Sequence, residues 1–279
     1  MVPPLLSSRL APWLRAAALL PAAIVVLLAL GWAFFPDAFA AGSPFQTRTA
    51  LRLRPPSSGH WFGTDYLGRD LYTRVVHGAA LSLKATVIAV ALGFSAGSAI
   101  GLVAGFAGGR VEAALMRLID VLLAVPGLLL SLTIVTVLGF GTVNVAIAVG
   151  VTTIAAFARV MRAEVLRVRA CPYVEAAAGC GVGWLATLLR HVLPNAAGPV
   201  LALAGLEVGA AILMVSSLSF LGFGAPPPAP EWGSLVAEGR NYMATAWWLT
   251  VLPGLVVVAV VLAVNQLGRA LDAGRAGLH

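Results

Sequence analysis

Four stretches of this 279-residue chain contain no charged side chain: 16–36, 85–109, 121–158 and 241–268. Each is long enough to cross a hydrocarbon core of about 30 Å, which takes about 20 residues of helix. The longest, 121–158, exceeds one helix and holds Gly139, Phe140, Gly141, Thr142, Val143 and Asn144 inside it. That is a turn composition, so the stretch predicts a tight hairpin of two spans. A sixth span is expected over 196–222, interrupted only by Glu207. Hydrophobic residues make up 60% of the chain and charged ones 10%, against about 45–50% and about 25% in soluble domains. Disorder requires the opposite balance. A membrane barrel would show short alternating segments instead of continuous apolar runs. The expected fold is therefore an all-α membrane protein with six transmembrane helices.

The net charge of +7 would suit nucleic acid, but its distribution points elsewhere. With the amino terminus cytoplasmic, the inner segments hold Arg9, Arg15, Arg110, Arg117, Arg159, Arg162, Arg167, Arg169, Arg190, Arg269 and Arg275. This is the positive-inside pattern, and it puts both termini in the cytoplasm. The outer segment departs from it with Arg48, Arg52, Arg54, Arg69, Arg74 and Lys84, and Arg240 lies in the other outer connection. Arg9, Arg15, an apolar run and Ala38-Phe39-Ala40 share the layout of a secretory signal. The run is longer than the usual 7–15 residues of such a signal, so a retained first span is expected. The chain then divides into a cytoplasmic tail 1–15, a first helix 16–36, an extracytoplasmic segment 37–80, five helices within 81–272 and a tail 273–279. Within 81–272, the cytoplasmic loop 159–195 is far longer than the 2–8 residues usual between bundled helices. The outer connection 223–246 is proline-rich, and Trp232, Trp247 and Trp248 suit an interfacial aromatic belt.

Catalytic constellations are missing from the sequence. His60, His77, His191 and His279 offer no metal-ligating spacing. Cys171 and Cys180 lie on the expected cytoplasmic side, where thiols stay reduced, and with only His191 nearby they do not make a zinc set. A phosphate-binding P-loop requires G-x-x-x-x-G-K-[ST], and the only lysine, Lys84, follows Leu83 and precedes Ala85. The chain binds no cofactor by these devices, and any ATP with its Mg would reside on another subunit.

The cytoplasmic loop reads Tyr173-Val174-Glu175-Ala176-Ala177-Ala178-Gly179-Cys180-Gly181, then Arg190-His191-Val192-Leu193-Pro194-Asn195. In these residues the chain resembles the membrane-spanning subunits of bacterial ABC importers, whose signature is E-A-A, a glycine, and L-P at fixed offsets. Gly181, Leu193 and Pro194 occupy those offsets. The resemblance implies that Glu175, Ala176, Ala177, Ala178, Gly179, Gly181, Leu193 and Pro194 dock an ATPase subunit. The chemistry suits that role, because small alanines let a short helix approach a partner closely and glycines permit the turn after it. Pro194 would start or kink the helix of the fifth span.

Further motifs are similar to the dipeptide and oligopeptide branch of these permeases. They are Gly63-Thr64-Asp65-Tyr66-Leu67-Gly68-Arg69-Asp70, Met116-Arg117-Leu118-Ile119-Asp120 with Ala124-Val125-Pro126, Ser219-Phe220-Leu221-Gly222, and Pro227-Pro228-Ala229-Pro230-Glu231-Trp232-Gly233. Gly63, Thr64, Asp65, Gly68, Arg69 and Asp70 read as a structural motif, with Asp70 as the N-cap of the next helix. Arg117 and Asp120 stand three apart and can pair on one helix face. Family members commonly carry a carboxylate just before S-F-L-G, where this chain has Met214-Val215-Ser216-Ser217. Its intramembrane acid is Glu207, on nearly the same face as Met214. Both are candidates for the translocation pathway or a subunit interface.

The resemblance implies a type I importer permease in the bacterial inner membrane. It would pair with a homologous permease, two ATP-binding subunits and an extracytoplasmic peptide-binding protein, and would do no covalent chemistry itself. Relatives with the same motifs carry nickel or glutathione, which stay open as cargo. An ion-coupled secondary transporter would need coupling acids in paired repeats, and here Glu207 alone qualifies. An intramembrane enzyme lacks a nucleophile and base.

Overall fold

The structure is a computed structural model that describes residues 12–276. Arg9, His279 and most of the expected tail 1–15 lie outside the described residues, as does the side chain of Ala178. The helices are α1 (Pro12–Phe34), α2 (Pro36–Phe39), α3 (Leu71–Ala107), α4 (Gly109–Ala124), α5 (Gly127–Leu138), α6 (Thr142–Arg169), α7 (Pro172–Gly179), α8 (Trp184–Thr187), α9 (Leu193–Phe220), α10 (Trp232–Gly239) and α11 (Trp248–Ala276). A π-helical turn, Leu188–Val192, fuses α8 to α9. Two isolated bridges, Ser57 with His60 and Thr64 with Asp70, are the β-type pairings recorded among the described residues.

Among the described residues four helices are long and apolar enough to span a membrane: α3, α6, the continuous rod Trp184–Phe220, and Trp248–Ala270 of α11. The expected third span is a bent pair, with α4 and α5 meeting at 93°. Pro126 explains the bend. Its ring disfavours helical backbone at the residue before it, and Val125 is extended at φ −97°, ψ 131°. The bent pair makes a fifth crossing if it counts as one, and the expected first span survives as the shorter apolar helix Leu19–Phe34. The expected hairpin turn lies between α5 and α6. Gly139 and Gly141 take positive φ there, and Asn144 Nδ2 donates to the carbonyls of Leu138, Gly139 and Phe140.

The closest helix pair is α3 with α6, and a stripe of glycines one turn apart brings the two backbones together. A Cβ built on Gly97 would lie 2.5 Å from the Ile154 carbonyl oxygen, and one on Gly101 would lie 2.3 Å from that of Ala158. Gly93 and Gly105 meet Thr153 and Val165 in the same way. Lipid supplies no hydrophobic force between helices, so their association rests on this kind of close van der Waals contact. Ala89, Val149, Phe157, Val200 and Val215 extend the packing to α9. A second cluster joins Ala29 of α1, Leu71 and Val75 of α3, Trp232 of α10 and Trp248 and Val257 of α11.

Backbone atoms cannot move aside for a new methyl group, so Gly101→Ala is expected to destabilise the fold by about 1–3 kcal/mol or more. Gly254→Ala in α11, where a Cβ meets nothing within 4 Å, is expected to be neutral or stabilising by up to about 1 kcal/mol. Thermal midpoints of the detergent-purified variants check the contrast, and equal shifts would refute the packing assignment.

Candidate functional site

The long inner loop of the sequence is built as a helical elbow. Arg169 at the end of α6 donates from Nη1 to the Phe106 carbonyl, 3.0 Å away, capping the end of α3. The chain then turns into α7, whose Val174 is buried in the main core while Glu175, Ala176 and Gly179 are exposed and Ala177 is half-buried. One side chain thus anchors the helix and the rest is presented outward. The Val182 N–H donates to the Ala177 carbonyl at 3.1 Å, and Gly181 has φ +83°. This is a Schellman closure with Gly181 as the left-handed residue, a conformation that a side chain would strain. Trp184 follows, its ring 5.0 Å from that of Phe106. Tyr173, Trp184, Leu185 and Leu189 are 45%, 55%, 59% and 49% exposed around the elbow.

Leu193 and Pro194 stand at the start of α9. Proline has no N–H for the carbonyl four residues earlier, and the π-helical turn ends immediately before it. Asn195 Nδ2 donates to the His191 carbonyl at 2.7 Å. The motif from Glu175 to Pro194 is therefore one connected piece, an exposed short helix tied to a long rod. Cys171 and Cys180 are both free thiols.

At the other end of the bundle, the segment from Gly63 to Asp70 is folded around buried charge. Asp65 Oδ1 accepts from the backbone N–H groups of Leu67 (2.8 Å) and Arg69 (2.9 Å). Its Oδ2 accepts from Arg69 Nε at 2.6 Å and Arg74 Nη1 at 2.9 Å. Both arginines also reach Glu238 of α10, Arg74 at 2.6 Å and Arg69 at 3.2 Å. Arg74 is completely buried and Arg69 is 4% exposed. Two cations and two anions thus balance where water cannot help. Gly68 sits where a Cβ would fall 1.9 Å from the Arg48 carbonyl oxygen. The Thr64 hydroxyl donates to the Leu51 carbonyl and accepts from the Arg54 N–H. Asp70 caps α3 as expected, accepting from the Thr73 N–H at 2.8 Å, and also pairs with His60. Arg74 and Glu238 escaped the sequence reading. Arg74 follows the motif by one helical turn, but the position of Glu238 carries no local signal.

Asp120 is not paired along its own helix with Arg117. Its carboxylate meets Arg159 of α6 at 2.7 Å, because the bend lays α4 across the C-terminal part of α6. Glu112 of α4 accepts from Arg162 Nε at 2.6 Å in the same seam.

Glu231, just before α10, is completely buried. Its Oε2 accepts from the Ala225 N–H at 2.7 Å, while Oε1 has no partner. Burial pushes this carboxyl above its ordinary value of 4.5, and the bond from Ala225 offsets that only partly. Glu207 and Met214, two turns apart on the rod, line a single recess of about 180 Å³ with Gly127 of α5 and Thr152 of α6.

Residues 97–276, more than half of the chain, match the family described as binding-protein-dependent transport system inner membrane component. A di/tripeptide transport system permease protein of Pseudomonas aeruginosa is 39% identical, over 89% of this chain and 84% of that one. A glutathione transport system permease protein of Pectobacterium atrosepticum is 40% identical, over 77% and 72%. Among solved structures, an amino acid ABC transporter crystallised with histidines superposes with a TM-score of 0.56 at 18% identity, covering 72% of this chain and 94% of that one.

Breaking the charge balance with Glu238→Gln is expected to destabilise the fold by about 2–3 kcal/mol, below the 3–5 of a fully buried pair because Glu238 is 20% exposed. Removing a cation with it, as Arg74→Met with Glu238→Leu, is expected to recover most of that loss. Denaturation of the three proteins in detergent decides this. For Glu231 the sign runs with acid: its raised folded value means the native state holds the proton more tightly, so its stability contribution is intact below pH 4.5 and falls as pH rises through the raised value. Glu231→Gln should flatten that component of the pH dependence of the thermal midpoint, and identical profiles would refute it.

Proposed function

We propose that this chain, which belongs to the family of binding-protein-dependent transport system inner membrane components, is a permease subunit of an ATP-driven importer of dipeptides or oligopeptides. It forms half of a translocation pathway with a homologous permease, receives cargo from an extracytoplasmic binding protein, and is driven by two separate ATPase subunits that carry the ATP and Mg. Di/tripeptide permeases among its relatives support peptide as cargo. The glutathione permease relative keeps that tripeptide as the second reading.

The observation that carries the proposal is the elbow. A short helix held by one buried valine, closed by a left-handed glycine and surrounded by exposed Tyr173, Trp184, Leu185 and Leu189, has the form of a docking knob. Exposed apolar groups of this density mark an interaction surface. Glu175 to Gly181 seats in a cleft of the ATPase subunit, and Leu193 and Pro194 pass its displacement into the rod. Closure of the ATPase pair then turns the bundle from inward- to outward-facing.

The reading takes α1, α3, the bent pair, α6, the rod and α11 as six crossings in the bacterial inner membrane with both termini cytoplasmic. The excess of basic residues on the outer segment fits this orientation, because Arg69 and Arg74 are neutralised by Asp65 of the same segment and Glu238 of α10.

In a chain with Cys171 and Cys180 replaced by serine, Ala177→Cys is expected to crosslink to a cysteine in the ATPase cleft of the assembled complex. Its absence in every nucleotide state of an intact complex would refute the docking. The isolated chain should neither hydrolyse ATP nor be photolabelled competitively by an ATP analogue. A reporter fused at Ser58 should be active only outside the cytoplasm.

A further inference from the structure

We infer that the recess beside Glu207 receives the α-ammonium group of the cargo, which makes Glu207 a residue that selects for a free amino terminus. This rests on the importer reading and adds to it the chemistry of one point on the path.

The placement of the carboxylate comes first. Glu207 is half-buried in the middle of the rod, and among the described residues it has no ion pair or hydrogen bond. The walls that α5 and α6 turn to the recess come from the uncharged stretch 121–158, so no cation lines it. An acid inside a membrane bundle without an internal counter-ion requires a cation from elsewhere or loses its charge.

The walls of the recess then narrow the ligand. Gly127, Ala156 and Met214 offer no hydrogen-bond donor. The hydroxyl of Thr152 spends its hydrogen on the Val149 carbonyl, 2.7 Å away, and turns only lone pairs to its surroundings. A site of acceptors alone suits a group of donors alone, and an ammonium is that group. A carboxylate would meet repulsion and no donor. The recess, of about 180 Å³ and open to its surroundings, has room for an amino terminus.

The test uses the assembled transporter without its binding protein, so that selection by the binding protein does not enter. A hydrophobic carbodiimide modifies carboxyl groups in apolar surroundings, and peptide mapping by mass spectrometry reads the modification at Glu207. Alanyl-alanine amide, which carries an ammonium and no carboxylate, is expected to slow that modification by about tenfold near saturation. Isobutyryl-alanine amide, in which a methyl group replaces the ammonium and which has the same shape without the charge, is expected to leave the rate unchanged. Equal protection by both probes, protection by neither, or no modification at Glu207 would each overturn the inference. In the complete importer, Glu207→Gln is expected to lower peptide imported per ATP hydrolysed by about tenfold or more, with Glu207→Asp rescuing most of it. Wild-type import in a stable Glu207→Gln complex would also overturn it, while leaving the importer reading intact. Absence of ATP-dependent uptake by the wild-type complex would instead sink the importer reading itself.

Discussion

The contact on which the rest of the structure depends is the backbone approach of α3 to α6 along Gly93, Gly97, Gly101 and Gly105. Carbonyl oxygens of α6 occupy the space where side chains of α3 would stand, so the two helices have one register and little freedom to slide. Everything attached to α6 inherits that position. Arg169 can cap α3 only because the two helices end together. The elbow helix starts three residues later, and α4 is pinned across the same end through Arg159 and Arg162. A fixed pair at the centre lets the peripheral elements move against something.

Much of this architecture is legible in the chain because the membrane imposes simple rules. Uncharged runs mark the spans, Gly139 and Gly141 mark the hairpin, and Asp70 marks the start of α3. Gly181 is legible for a stricter reason, since a helix ending in a Schellman closure needs a left-handed residue at that place. The glycine stripe carries its signal too, a period of four on one face, but uncharged composition alone overlooks it. Bending at Val125 was hidden because a proline inside an apolar run reads as easily as a tolerated kink. The partner of Arg74 was beyond reach: Glu238 lies 164 residues away, and no spacing rule chooses among distant acids.

The charge cluster around Asp65 shows why a motif can look functional and act structurally. Asp65, Arg69, Arg74 and Glu238 satisfy one another, leaving no formal charge for a ligand. Buried pairs contribute little net stability over apolar packing, but a broken one is costly. Their consequence is alignment, because α3 and α10 can dock in only one way if both arginines are to be satisfied. Glu207 is the opposite case. Among the described residues it has no ion pair, unlike the four charges of that cluster.

The rod Trp184–Phe220 joins the two ends of the proposed mechanism. From Leu193 to Glu207 it rises about 21 Å at 1.5 Å per residue, and a helix of that length transmits displacement without stretching. Its π-helical turn, Leu188–Val192, lies near its start, between the elbow and α9. A π-helical turn holds an extra residue per hydrogen-bonded ring and can be resolved by rotating one side against the other. Motion at the elbow would therefore be converted there into a rotation of α9, which carries the Glu207 face. The carboxylate would turn toward or away from the path as the ATPases close, so that the affinity for a passing ammonium changes within each cycle. An energy-driven carrier needs that property, since the state change does no work on a group held equally well in both states.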